Sequence, residues 1–324
     1  MADKPYELRR PDDGTVAFRF FRPSVVRDSR QLGLESSRPR ILALDTNVVR
    51  GSSKVPGEGR YTLAELEAVD ALGIPGDVIV ELCTKIDSAE DFVARRAAAR
   101  KLMNVTPYIF PQSSVYLRWL FGYVSTEKMV TDVDCWAHNL TYFAGMETFD
   151  EWLSDSNFQT LTQQRVDGYK AWREEHADAF KMTAKISRAK EHDDLSGKPS
   201  TDREAAINSG SFLEENLKAL EERFTNGDAT LVTAIGREFA RAQLATYALL
   251  IHAYQQEVFL DDGGTVEEND RGDLDIMAFA SSASPLNGGG AIHVVTGEPD
   301  WVRLMGGVSS DKLALSPLNI LEQQ

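Results

Sequence analysis

Cysteine is nearly absent: Cys83 and Cys135 are the only two in 324 residues, far apart and in apolar surroundings. That excludes a disulfide framework or a cysteine-rich zinc fold, and it fits buried thiols in a reducing compartment. No apolar run approaches the roughly 18 residues of a membrane span, and the start, Met1 to Pro11, is charged rather than signal-like. A soluble, cytoplasmic protein without a membrane partner is expected. Basic charge is also short, with 35 Lys and Arg against 50 Asp and Glu and a formal net charge of −15. Bulk electrostatic coating of nucleic acid is thereby excluded, but a local site that acts on it is not. The five histidines show no paired spacing suited to zinc. Gly288-Gly289-Gly290 precedes a strand-like run rather than a helix, so no Walker phosphate loop is present.

What the chain does have is a set of short apolar runs that stop at acids. The first is Ile41-Leu42-Ala43-Leu44, followed by Asp45-Thr46-Asn47. A buried strand that delivers a carboxylate to the edge of a sheet reads this way. So does a strand that ends in a turn or a helix cap, and Asp45 alone does not separate the two. An aspartyl-nucleophile phosphatase would carry a second Asp two residues on, where Asn47 stands.

Before this run, residues 1–38 form a polar, arginine-bearing extension containing a short apolar stretch, Val16 to Phe21, expected as an added edge strand. After it, Gly51 to Gly59 reads as a loop, and Thr62 with Glu65 three residues on marks a helix start. Gly73-Ile74-Pro75-Gly76 punctuates the chain, and Asp77 to Leu82 follows as a second apolar run, ending in Glu81. From about 84 to 259 the pattern is mainly helical, with Trp119, Phe121, Trp136, Phe143, Phe149 and Trp152 spaced as helix-packing residues. Lys181, Lys185 and Arg188 share one helical face, a solvated face or a phosphate track. A polar loop at 191–203 precedes a helix signalled by Ser211 and Glu214, and a long amphipathic run covers 230–259.

The last quarter returns to an α/β pattern. An acidic stretch from Glu267 to Asp275 runs into Ile276 to Ala283, a small-residue helix, and Ala291 to Thr296 is a strand that stops beside Glu298 and Asp300. Lys312 to Pro317 closes the pattern with one more short strand. A parallel sheet sets all strand carboxyl ends on one edge. Asp45, Glu81 and Glu298 or Asp300 can therefore converge there, with Asp273 entering from a helix start. That outlines a metal site built from oxygen donors.

Leu44-Asp45-Thr46-Asn47, Glu81-Leu82, Asp273-Leu274-Asp275-Ile276 with Ala278 and Ala280, and Val294 to Trp301 resemble, in that order, the motifs of the PIN-domain ribonucleases. The tail, Leu315-Ser316-Pro317 with Leu321-Glu322, is similar to the end of such a domain. The resemblance implies a PIN-like three-layer α/β core with a central, mainly parallel sheet, formed by residues 39–85 and 260–324. The interval from Glu81 to Asp273 is far too long for the family, which implies a mainly α-helical insertion at 86–259. It further implies a metal-dependent ribonuclease that leaves 5′-phosphate and 3′-hydroxyl ends, with RNA favoured over DNA. Mg²⁺ or Mn²⁺ would be held by Asp45, Glu81, Asp273 and Glu298, with Asp300 as a further acid. The family usually places Asp where this chain has Glu298, a departure that also admits a scaffold without catalysis, binding protein or RNA through the insertion. Asp273 fits the helix motif better than Asp275, its nearest substitute, while Asp270 one turn earlier reads as a cap or supporting acid. Thr46, Asn47 and Thr296 read either as groups orienting the carboxylates or as strand-end caps.

Overall fold

The computed structural model describes residues 40–51, 54, 61–105, 107–120, 123–174, 268–282, 284–287, 290–308 and 312–322. Its centre is a five-stranded sheet in the order β3-β2-β1-β4-β5, every neighbouring pair parallel. The strands are β1 (Ile41–Leu44), β2 (Ala71–Ile74), β3 (Tyr108–Ile109), β4 (Ile292–Val295) and β5 (Ala314–Leu315). The protein is thus α/β, as its alternation of short apolar runs and helical segments predicts. All four β1 residues are buried. Since successive side chains point to opposite faces, both faces of the sheet are covered, which is why the strand is apolar throughout instead of alternating. Each such Leu or Ile withdrawn from water contributes about 1.5–3 kcal/mol.

The chain winds outward from β1 to β2 and β3, then returns to place β4 on the other side of β1. Ile41 registers with Ala71 on one side and Ile292 on the other. The direction of winding therefore reverses between β1 and β4. In open parallel sheets ligands bind outside the strand carboxyl ends at such a reversal.

The helices that follow β1 and β2 are short and sharply capped. Helix α1 (Thr46–Arg50) has Asp45 as its N-cap and Gly51 as its C-cap, at φ 71°, a left-handed conformation that glycine adopts without strain. Helix α2 (Leu63–Val69) begins with the capping box of Thr62 and Glu65 that the sequence signals. Helix α3 (Gly76–Cys83) occupies the run predicted as a second acid-ended strand. The strand lies just before it, at Ala71–Ile74, and Pro75-Gly76 separates the two. Buried Val78, Ile79, Leu82 and Cys83 recur at helical, not alternating, spacing.

Next come α4 (Ala89–Leu102), α5 (Ser113–Leu120), α6 (Thr126–Gly145), α7 (Phe149–Ser154) and α8 over residues 156–174. The outer strand β3 and these helices all come from inside the 86–259 stretch expected as an insertion. Helix α3 packs on both α4 and α6; of the expected packing aromatics Trp136, Phe143 and Trp152 are buried, as is Phe158, Trp119 and Phe149 are partly buried, and Phe121 lies outside the described residues. Phe143 meets Phe92 of α4 edge-on at 5.7 Å and Phe158 of α8 at 5.8 Å. Cys83 is buried and Cys135 exposed, both free, so the expectation of two buried thiols holds only for Cys83.

In the last part, α9 (Glu268–Met277) precedes β4, and α10 (Pro299–Val308) and α11 (Pro317–Leu321) flank β5. The acidic stretch is itself this helix, which ends at Met277 rather than beginning at Ile276 as expected. Phe279 beyond it stacks on Phe110 and Tyr116 at 5.5 and 5.4 Å, pinning the α9 exit to the β3 side of the sheet. The expected edge strand at Val16 to Phe21, the helices at 211–224 and 230–259, and Lys181, Lys185 and Arg188 lie outside the described residues. Among the described residues no helix is long and apolar enough to cross a membrane.

Candidate metal centre

Asp45 sits at the reversal point, where β1 gives way to α1, and it is buried, with 4% of its surface exposed. One carboxylate oxygen caps α1 by accepting from the Thr46 N–H, and the other accepts from the Thr296 hydroxyl at 2.7 Å. The two readings of this residue are therefore both true. Thr296 ends β4, and its hydroxyl oxygen also accepts the Glu298 N–H at 3.1 Å. Asn47 closes the same corner: its carbonyl oxygen accepts from the Gly297 N–H at 2.8 Å and its amide donates to Glu298 at 3.4 Å. Thr46, Asn47 and Thr296 thus orient acids as well as capping strand ends.

Glu81 reaches the same place from the side of α3, not from a strand end. One of its oxygens accepts from the Thr46 hydroxyl. The other accepts from Arg165 of α8 at 2.9 Å. The last turn of α3 is held from outside: Arg95 donates to the Glu81, Thr84 and Lys85 carbonyls, and the Trp152 indole donates to the Cys83 carbonyl at 2.8 Å. These carbonyls would otherwise be the unsatisfied end of a helix. Their anchoring fixes where the Glu81 side chain starts.

Asp273 arrives from the middle of α9, where a helix start was expected, and accepts from the Trp301 indole N–H at 3.1 Å. Gly272 makes that approach close: a Cβ there would lie 2.6 Å from a Glu81 oxygen and 3.0 Å from the Tyr169 hydroxyl. Glu298, beyond β4, is paired with Lys54 at 2.9 Å. Lys54, Arg165, Tyr169 and Trp301 were not among the residues assigned to the site from sequence. Arg165 nevertheless carries a signal. It falls on the inward stripe of α8 with Phe158, Leu161, Tyr169 and Trp172, and a charge on an apolar stripe needs a partner.

The electrostatics report convergence. Burial pushes the Asp45 carboxyl up to about 7, and the charges of Glu81 and Glu298 add to the rise while Thr296 and Thr46 oppose it. Asp273 is held well above its ordinary value by burial and then by Asp45, Glu81 and Glu298, against the Trp301 hydrogen bond. Glu81 and Glu298 thus act on both Asp45 and Asp273. Asp275 is tied to the same acids through Glu81, whose charge adds to its rise. Asp275 pairs with Arg271 at 3.5 Å and accepts from the Ser113 hydroxyl, and burial holds it at about 6. Asp300 is exposed and faces Arg303 at 3.4 Å, and its charge also acts on Lys54, the partner of Glu298. Asp270 lies inside α9, half-buried, rather than at a cap.

Among the described residues no group of three or more His, Cys, Asp or Glu side chains is already placed to grip a metal ion. The hydrogen bonds supply the reason. Both oxygens of Asp45 and both of Glu81 are drawn to protein donors instead of to a common point. The donor set still fits a hard divalent cation, since it consists of carboxylates, each able to accept more than the bonds it makes. Their mutual repulsion is the kind that a cation relieves.

No family model, no curated protein and no solved structure matches this chain.

Proposed function

We propose that this protein is a PIN-like, metal-dependent nuclease that hydrolyses phosphodiester bonds in RNA. What supports the reading is the burial of Asp45 and Asp273 by the carboxyl edge where the sheet reverses direction, with the charges of Glu81 and Glu298 acting on both. Asp45 and Asp273 would hold the Mg²⁺ or Mn²⁺ ion, with Glu81 and Glu298 completing the acid ring. When bound, such an ion neutralises a phosphodiester oxygen and lowers the pKa of an attacking water. The chain's own contribution is positioning. Thr46 fixes Asp45 and Glu81 together, Thr296 fixes Asp45 against Glu298, and Trp301 sets the Asp273 rotamer. Water adds to phosphorus and the 3′ oxygen leaves with a proton, giving 5′-phosphate and 3′-hydroxyl ends.

A second reading has a specific observation behind it. Glu81 and Glu298 are each already paired with a cation, Arg165 and Lys54, as they would be in a PIN-like scaffold that binds protein or RNA without cleaving it. Cleavage separates the two. Wild-type protein with Mn²⁺ is expected to cut a mixed pool of end-labelled RNA and DNA, RNA faster. The Asp45→Asn protein is expected to lose at least about 10³-fold in rate with its melting temperature retained. Equal cutting by wild type and D45N removes Asp45 from the chemistry, and no cutting by either favours the scaffold.

A further inference from the structure

We infer that the second half of α8 is a detachable strap, latched over Glu81 by Arg165, which opens by local unfolding and uncovers that carboxylate. Such a device works without a metal and is the same under either reading of the proposed function.

The two halves of α8 are attached differently. At its start Asp155 accepts from the Asn157 and Phe158 N–H groups, both at 3.0 Å, and Asn157 donates to Asn139 of α6 at 3.3 Å. Phe158 is fully buried, 5.8 Å from the rings of both Tyr142 and Phe143. That end belongs to the core. Beyond it the packing changes: none of residues 159–174 is fully buried, and the apolar Leu161 and Trp172 are only partly so. Helix α4, by contrast, buries Phe92, Ala98, Ala99 and Leu102.

What holds the second half is polar. The Lys85 N–H donates to the Thr162 hydroxyl at 3.3 Å, and Arg271 of α9 donates to the Gly168 carbonyl at 2.9 Å. Arg165 donates to Glu81 at 2.9 Å and to the Thr84 hydroxyl at 3.2 Å. The Tyr169 ring meets two guanidiniums, Arg165 at 5.1 Å and Arg271 at 5.6 Å. Hydrogen bonds of this kind are exchanged for water at a modest net cost, whereas a buried aromatic side chain is not. The seam is also imperfect, because the Arg165 Nε is buried without a hydrogen-bond partner and opening hydrates it. A segment with few buried apolar contacts opens before the rest of the fold.

Arg165 is the latch because it joins strap and core through a charge. Its side chain is 11% exposed and that of Glu81 18%. With α8 docked, the guanidinium takes the Glu81 oxygen that does not bond Thr46. Opening turns that oxygen and the fully buried Thr84 to water. Access to Glu81 is thereby coupled to the docking of α8.

The test is hydrogen–deuterium exchange of the full chain, read by mass spectrometry over a urea series below the unfolding transition. Carboxyl footprinting with carbodiimide and glycine ethyl ester reports on Glu81 directly. In wild type, residues 160–172 are expected to exchange at least about 100-fold faster than residues 136–144 of α6, at one common rate and with weaker urea dependence. R165Q is expected to quicken both exchange over 160–172 and Glu81 labelling at least about tenfold, the usual effect of losing a hydrogen bond to a charged group. The quickening over 160–172 should equal that over 136–144, since both openings break the Arg165–Glu81 bond. Three results overturn the inference. The first needs no variant: residues 160–172 share the rate and urea dependence of 136–144, which makes α8 part of the global unit. The second is protection that falls smoothly toward residue 174, which is end fraying. The third is a folded R165Q protein whose exchange over 160–172 and Glu81 labelling match wild type.

Discussion

Two groups of half-buried and buried carboxylates are satisfied in different ways. At the start of α5, Asp77 accepts from the Ser113 N–H at 2.7 Å and Asp132 from the Gln112 N–H at 2.9 Å. These acids answer the unpaired amides of a helix start. Around Asp45 the donors are instead hydroxyls, an indole, one backbone N–H and two long cationic side chains, and the charges of Glu81 and Glu298 raise Asp45 and Asp273, while Glu81 also acts on Asp77 and links the two groups. The acids at α5 are held by the backbone of a helix start, and those around Asp45 chiefly by side chains from distant elements.

The widest separation between the two groups is expected from removing one acid of each. Asp45→Asn should remove cleavage and weaken Mn²⁺ binding while leaving the melting temperature equal or higher, because repulsion with Glu81 and Glu298 is relieved. Asp132→Ala should do the opposite, leaving Mn²⁺ binding unchanged and costing about 1–2 kcal/mol in urea unfolding, the usual loss for a helix-start acceptor. If Asp132→Ala alters Mn²⁺ binding as much as D45N, the distinction between the groups collapses.

A pair of glycine substitutions sharpens the contrast at the level of packing. At Gly73 in β2 an added Cβ would sit 2.6 Å from the Phe110 ring and 3.0 Å from Ile41, so Gly73→Ala should cost about 1–3 kcal/mol of stability. At Gly272 the same methyl meets the Glu81 carboxylate, which Thr46 and Arg165 hold in place. Gly272→Ala should therefore lower Mn²⁺ affinity several-fold with little change in unfolding, since a helix interior favours Ala over Gly by about 1 kcal/mol. Unchanged Mn²⁺ affinity would show that Glu81 is free to move aside.

A smaller effect is expected from pH. The Asp45 carboxyl rises from 3.8 to about 7 on folding, chiefly through burial. Below 3.8 both states keep the proton; between 3.8 and 7 the unfolded chain releases a proton that the folded chain retains, so stability falls as pH rises across that window. Asp273 acts in the same direction. Melting temperatures of the metal-free protein should drop between those limits, D45N should drop less, and saturating Mn²⁺ should protect wild type most at the upper end, where protons no longer compete. A flat profile in wild type would place Asp45 in contact with water.

Much of this was legible in the chain. β1, β4 and β5 were readable because short apolar runs stop at polar residues, and α2 because its capping box is local. Asp45 and Glu298 stand out for the same reason, each following an apolar run, while Asp273 is singled out by the motif it forms with Ile276, Ala278 and Ala280. The assignment of Asp77 to Leu82 as a strand failed because Val and Ile there are β-branched; the decisive information was the Pro75-Gly76 break and the recurrence of Val78, Ile79, Leu82 and Cys83 at helical spacing. Glu81 sits in the second turn of α3, and its side chain reaches the Thr46 hydroxyl beside the end of β1. Asp300 reads as a further acid of the strand-end motif that carries the resemblance, and in the structure the first turn of α10 places it beside Arg303 and solvent. Arg165 and Lys54 were out of reach because their partners, Glu81 and Glu298, lie on distant elements and only tertiary packing joins them.

The most direct test of the centre is an anomalous difference map from crystals of the full chain soaked in MnCl₂. One peak is expected between Asp45 and Asp273, about 2–2.3 Å from a carboxylate oxygen of each, with Glu81 and Glu298 around it and Arg165 still on Glu81. A peak elsewhere on the chain, or none at a concentration that saturates binding in solution, would contradict the claim that these acids were brought together to hold an ion.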